Sequence, residues 1–154
     1  MRAWRVETFG DPIEVWQLRE DAPDCDPGPG EIQVAVEAAG LGLPDVLMCR
    51  DNYPLTPPLP FTPSQEAAGR VVAVGEGVAA DLVGQRVMGT TQFQAQYGGL
   101  AEYCLMHAGA ALPIPETMPA AEAAGFFIPY MTAWTGLVRR GQLRAGETLL
   151  VLGA

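Results

Sequence analysis

The residues of this 154-residue sequence that could do chemistry are few and scattered. Cys25, Cys49 and Cys104 are odd in number, far apart and without a C-x-x-C pair, which indicates neither a disulfide framework nor a thiolate zinc knuckle. They read as free thiols of a reducing compartment. His107 follows Cys104 by three positions; on a strand that spacing sends the two to opposite faces, so they cannot easily share one ion. No metal is expected. Gly75-Glu76-Gly77 offers a G-x-G, but no amphipathic helix follows it, and a turn is the better reading. Tyr53 carries a phenol suited to hydrogen-bonding a developing oxyanion, with packing under a loop as its competing role. Asp45 is an acid in the first turn of a short helix, where it can simply favour the dipole. Thr132 lies on a long helix, where a bond to the preceding turn is the plain alternative.

The elements that must position these residues follow from patterning. Arg2 to Val6 and Val15 to Leu18 read as strands around a Gly10-Asp11-Pro12 turn. Glu31 to Glu37 alternates most clearly, with Ile32, Val34 and Val36 on one face and Glu31, Gln33 and Glu37 on the other. Pro44 to Arg50 suggests one or two helical turns. Five prolines between Asn52 and Pro63 force an extended, apolar loop, with Tyr53 at its rim. Ala67 to Val74, Val83 to Met88 and Ala101 to Met106 are further strands. Beyond Pro115 the character changes. Pro119 to Arg140 predicts one long helix, capped by Thr117, kinked near Pro129 and closed at Gly141. Glu147 to Leu152 then reads as a buried, parallel-type strand running into Gly153. Many strands, one helix and a lone buried strand make an unusual order for a complete domain, so the last strand looks like the start of another.

Composition narrows the function classes. Hydrophobic residues make up 49% and charged residues 18%, which excludes disorder as the main state. A formal charge of -9 repels phosphate backbones and anionic lipid surfaces, so neither nucleic acid nor membrane is expected as a partner. No apolar stretch approaches the roughly 18 residues of a membrane span, and the opening residues lack the apolar core of a signal peptide. The protein reads as cytoplasmic.

Ten short motifs in order carry a resemblance. They are Pro27-Gly28-Pro29-Gly30-Glu31, Ala38-Ala39-Gly40 followed by Asp45, Asn52-Tyr53-Pro54, Pro60-Phe61-Thr62-Pro63, Glu66-Ala67-Ala68-Gly69, Val74-Gly75-Glu76-Gly77-Val78, Val83-Gly84-Gln85-Arg86-Val87, Gly99-Leu100-Ala101-Glu102-Tyr103, Thr132-Ala133-Trp134 and Leu149 to Ala154. Together they resemble the medium-chain dehydrogenase/reductase superfamily, within it the zinc-free, zeta-crystallin-like quinone oxidoreductases. The resemblance implies a mainly β, α+β fold: a GroES-like β-barrel over residues 1–118, then over 119–154 the hinge helix and first strand of a truncated Rossmann domain. It implies an oxidoreductase transferring hydride from NADPH or NADH to a small-molecule quinone or enone, homo-oligomeric in full-length form and inactive as this piece alone.

The implied site follows residue by residue. Tyr53 is the catalytic candidate, facing the nicotinamide. Gly42, Asp45, Thr132 and Gly153 fall at cofactor positions, Thr132 toward the nicotinamide amide and Gly153 as the first glycine of the phosphate loop. Zinc-dependent relatives need a cysteine and a histidine where this chain has Gly42 and Gln65, and neither can serve as a ligand. Gly42 also replaces an asparagine usual in quinone oxidoreductases, and Ser64 replaces a glycine. Two other functions compete: a stand-alone GroES-like binding module, with Arg50 and Pro54 to Pro57 as a polyproline ligand, and a non-catalytic, crystallin-like protein.

Overall fold

In a computed structural model, which describes residues 1–152, the clearest alternation in the sequence becomes the centre of a sheet. β3 (Glu31–Gly40) buries Ile32 and Val34 completely and leaves Glu31, Gln33 and Glu37 in contact with solvent. It lies between β4 (Glu66–Val74) and β6 (Tyr103–His107). With β5 (Arg86–Thr90) and β7 (Leu112–Pro113) the order is β6-β3-β4-β5-β7, and every pair is antiparallel. Just past β5 the chain reaches the far edge, where Thr91 bridges Met106 and the Gln92 N–H donates to the Leu105 carbonyl at 2.8 Å. That contact curls the sheet into a barrel and covers the outer edge of β6. Ile32, Val34, Val71, Val87, Cys104 and Met106 fill its interior. The class is mainly β with short helices, as expected.

Between Val36 and Ala38 the β3–β4 register slips, so Glu37 has no partner on β4 and the next residues change face. Val36 packs on the barrel interior, whereas Ala38 packs outside it with Ala68, Met88, Ile114, Ala123 and Ala124. The bulge also places Glu37 against the buried Arg86, whose Nη2 and Nε donate to its carboxylate at 2.7 and 3.0 Å. Nη1 of the same guanidinium donates to the carbonyls of Pro115, Glu116 and Met118 at 3.1, 3.1 and 3.0 Å. Arg86 thus ties the segment leading into α3 (Ala120–Ala124) to the sheet.

The C-terminal stretch departs from the sequence expectation. The single helix from Pro119 breaks at Gly125: α3 ends there, and α4 (Phe127–Trp134) runs on into a π-helical stretch, Thr135–Arg140. Glycine is disfavoured inside helices, and Ala123 and Ala124 are the last residues anchored in the outer core, so the break falls where packing ends. Pro119, not Thr117, occupies the N-cap of α3, with no side-chain cap. Glu147 to Leu152 forms no strand. Leu149, Leu150, Val151 and Leu152 are exposed, and among the described residues nothing pairs with them; an apolar run becomes a strand only beside hydrogen-bonding neighbours. Gly153 lies outside the described residues. Among those described, no helix is long and apolar enough to cross a membrane.

At the other end, β1 (Ala3–Val6) pairs with β2 (Trp16–Arg19). The turn between them holds a helical turn, α1 (Pro12–Val15), because Asp11 caps it by accepting from the Ile13 N–H and Pro12 starts it. β1 joins the barrel through bridges from Ala3 to Ala101 and from Val6 to Phe61. Beneath it a second core gathers Val6, Val15, Met48, Cys49 and Phe61.

Candidate functional site

β3 ends at Gly40 beside the start of β4, and α2 (Leu43–Cys49) begins three residues later. Between these ends and the first turn of α4 opens a cleft of about 180 Å³, lined by Gly40, Gly42, Asp45, Gln65, Glu66 and Ile128, with Leu41, Pro44 and Pro129 at its sides. Gly40 makes the junction possible. A Cβ there would stand 2.5 Å from the Ala124 carbonyl oxygen and 2.7 Å from Glu66 Cγ, so only glycine lets the end of α3 and Glu66 come this close.

The buried polar groups around the cleft hold one another. Asp45, third residue of α2, reaches back to accept from the Gly42 N–H at 2.9 Å, and its other oxygen accepts from the Ser64 N–H at 2.8 Å. Burial nonetheless pushes its carboxyl above the usual range, against the pull of those two donors. Ser64 has φ +83°, a left-handed conformation that favours glycine. Its hydroxyl lies 2.9 Å from the Gly40 carbonyl oxygen and 2.8 Å from that of Glu66, positioned to donate to either, and this accounts for serine at a strained position. Glu66 Oε2 accepts from the Ile128 N–H at 2.8 Å and so fixes the entry to α4. Burial raises the Glu66 carboxyl, and the neighbouring Asp45 charge adds to the shift. Gln65 is also buried, and its Nε2 has no partner.

The structure brings together only part of the set named from the sequence. Gly42 and Asp45 line the cleft. Thr132 is exposed on α4 and lines an adjoining hollow of about 500 Å³ with Phe127, Met131, Thr135 and Gly136; Ile128 is the wall the two share. Tyr53 is not in the cleft. It is half-buried on the loop after α2, packed against the second core, with its carbonyl accepting from the Thr56 N–H and hydroxyl at 3.0 and 2.7 Å. Cys104 and His107 separate as expected, one sealed in the barrel and the other exposed. Arg50, the cation of the polyproline alternative, pairs with Asp11 at 2.9 Å. In the sequence Gln65 and Glu66 stand out only as motif positions. Adjacent polar residues opening a strand of small residues, Glu66-Ala67-Ala68-Gly69, were the available signal that this end of β4 is crowded and buried.

A family model for the alcohol dehydrogenase GroES-like domain matches residues 28–116, more than half of the sequence. The chain belongs to this family. Quinone oxidoreductase of Rattus norvegicus is 37% identical over 154 residues, all of this chain and 46% of the relative. The Homo sapiens quinone oxidoreductase is 35% identical over the same span, again 46% of its length. Among solved structures, the human synaptic vesicle membrane protein VAT-1 homolog-like protein matches with TM-score 0.84 at 31% identity, over 95% of this chain and 45% of that one. A mycobacterial protein complexed with NADPH matches with TM-score 0.82 at 31% identity, over 96% and 44%. The chain spans about half the length of the curated relatives it matches. Its fold is therefore GroES-like, and the resemblance to quinone oxidoreductases read from the motifs holds across the whole chain.

Proposed function

We propose that this chain is the substrate-side part of an NAD(P)H-dependent oxidoreductase that reduces quinones or α,β-unsaturated carbonyls. The observation that carries the reading is 37% identity to a quinone oxidoreductase over all 154 residues. In this reading residues 1–118 form the GroES-like domain and 119–154 belong with the cofactor half. Two facts support the division: the family match ends at residue 116, and Tyr130, Met131, Trp134 and Leu149 to Leu152 carry exposed apolar surface. The full-length form is proposed as cytoplasmic and homo-oligomeric, with no nucleic-acid or membrane partner, in keeping with the net charge of -9.

The cleft suits the reacting end of a nicotinamide cofactor in kind: apolar walls from Ile128 and Pro129, and no side chain at Gly40 or Gly42 to fill it. The bound cofactor supplies the hydride. The chain's own residues bind and orient. In this reading Gly42 and Asp45 form the cofactor edge, Thr132 presents its hydroxyl beside the Ile128 wall, and Tyr53, held outside the cleft on the loop after α2, is the donor that the resemblance implies for the oxygen on which charge develops. Gly153 is proposed as the first glycine of the phosphate loop. Metal independence belongs to the same reading. Gly42 has no side chain to ligate, the amide of Gln65 is not among zinc's usual donors, and among the described residues no three His, Cys, Asp or Glu side chains converge.

The test compares the 154-residue chain with the same chain joined to the cofactor half of the rat relative, following quinone-dependent NADPH oxidation. Turnover is expected only in the joined protein, unchanged by a chelator. Turnover lost to chelation overturns metal independence, and a folded joined protein without turnover overturns the oxidoreductase reading.

A further inference from the structure

Gln65 is the polar side chain of the cleft whose hydrogen bonding the fold leaves unfinished. The residue is 7% exposed, and its Nε2 is the one buried side-chain polar atom without a partner among the described residues. Its neighbours are engaged: Asp45 with two N–H groups, Ser64 with the Gly40 and Glu66 carbonyls, Glu66 with the Ile128 N–H. Its backbone is also fixed, the carbonyl accepting from the Thr91 N–H at 2.9 Å. A buried donor without an acceptor is destabilising, and native proteins retain few. Gln65 itself lines the cleft, but its Nε2 is sealed as placed, so a ligand there can complete the amide only once the amide turns over.

The surroundings define the ligand atom. The terminal amide torsion of glutamine is broad and roughly two-fold, so a half-turn presents the NH2 to the cleft and sends the carbonyl inward, where an unpaired acceptor is better tolerated than an unpaired donor. An NH2 facing the cleft needs an oxygen acceptor. The carboxyls of Asp45 and Glu66 on either side disfavour an anion, and Ile128 and Pro129 favour a flat, apolar body. What remains is a neutral carbonyl compound. We propose that Gln65 is a specificity-determining residue that donates a hydrogen bond to the carbonyl oxygen of a quinone or enone. The substrate class rests on the function proposed above, whereas the contact itself needs neither cofactor nor turnover.

The test titrates the isotope-labelled 154-residue chain with 2-cyclohexen-1-one, cyclohexene and nicotinamide while NMR follows the Gln65 side-chain NH2 pair, assigned by its loss in Gln65→Met. Addition of the enone to cysteine does not compete, because all three thiols are buried and burial raises their pKa. The expected result is a saturable shift with the enone and none with cyclohexene. Gln65→Met should weaken enone binding about tenfold, the net worth of one neutral hydrogen bond, without lowering Tm. Three results overturn the proposal: an unmoved Gln65 amide, nicotinamide shifting it at lower concentration than the enone, or a Gln65→Met chain that loses Tm and binds the enone as tightly as before. A shifted amide in a protein whose joined form shows no turnover would sink the proposed reaction and leave the carbonyl contact standing. Turnover with an unmoved amide would do the reverse.

Discussion

The barrel and the C-terminal stretch are both apolar in sequence, yet they treat their apolar residues in opposite ways. In the barrel Ile32, Val34 and Met106 are fully buried, whereas beyond Gly125 Trp134 is 55% exposed, Leu150 77% and Leu152 84%. The same chemistry is core in one region and surface in the other because only the first supplies neighbouring strands. The cleft lies on the seam between the two. Gly40, Gln65 and Glu66 come from the barrel, Ile128 and Pro129 from the stretch, and Arg86 and the Glu66 to Ile128 hydrogen bond hold the junction.

The largest expected effect is on that junction. Arg86→Met should cost about 3 kcal/mol in urea unfolding, since it strands the Glu37 carboxylate and three carbonyls that shared one guanidinium. A cost under about 1 kcal/mol would mean that the segment before α3 docks without it. A matched pair tests the two regions directly: Met106→Ala should lose about 2 to 5 kcal/mol, and Leu150→Ala should stay within about 0.5 kcal/mol. Comparable losses would break the contrast.

The pH dependence of the seam gives a smaller effect with a definite sign. Burial raises the folded-state pKa of Glu66 above its unfolded value, so the folded chain binds the extra proton and stability falls as pH rises from that unfolded value through the raised one. Glu66→Gln keeps an acceptor for the Ile128 N–H and cannot ionise. Thermal melts should therefore coincide for the two proteins below about pH 4 and separate in favour of Glu66→Gln toward pH 7. A variant that falls behind as pH rises would reverse the assignment. The smallest effect is at Ser64. Ser64→Ala keeps the left-handed backbone and loses the hydroxyl bonds, while Ser64→Gly loses the same bonds and relieves the strain. The glycine variant should be more stable than the alanine variant by about 1 kcal/mol.

How much was legible in the sequence follows the same division. The alternation of Ile32, Val34 and Val36 located β3, and the prolines from Pro54 to Pro63 located the loop, because both signals are local. Asp11-Pro12 is a local signal too, a cap followed by a helix-starting proline, but beside Gly10 the same residue types equally favour a plain turn. The composition of Glu147 to Leu152 predicts a strand, although strand formation depends on neighbours that composition does not name. Asp45 was legible as an acid at a helix start; its second partner, the Ser64 N–H, is nineteen residues away and belongs to tertiary structure. The orphan amide of Gln65 was invisible for the same reason. An unmet hydrogen bond is defined by everything around a residue, and the motif gave only its place beside Glu66.

The order of strands has a consequence for how this chain is made. β3 ends at Gly40, and its second partner, β6, begins at Tyr103. At a translation rate of roughly 5 to 20 residues per second, the ribosome needs about 3 to 13 seconds to deliver the later strand after the earlier one. Throughout that interval one edge of β3 has no hydrogen-bonding partner, and Ile32 and Val34 lack the cover that Cys104 and Met106 later provide. β1 waits as well, because its bridge from Ala3 ends at Ala101. The nascent chain therefore carries open, apolar strands for seconds before the barrel can close, and a chaperone that holds such edges would act on β1 and on residues 31–40 before β6 arrives.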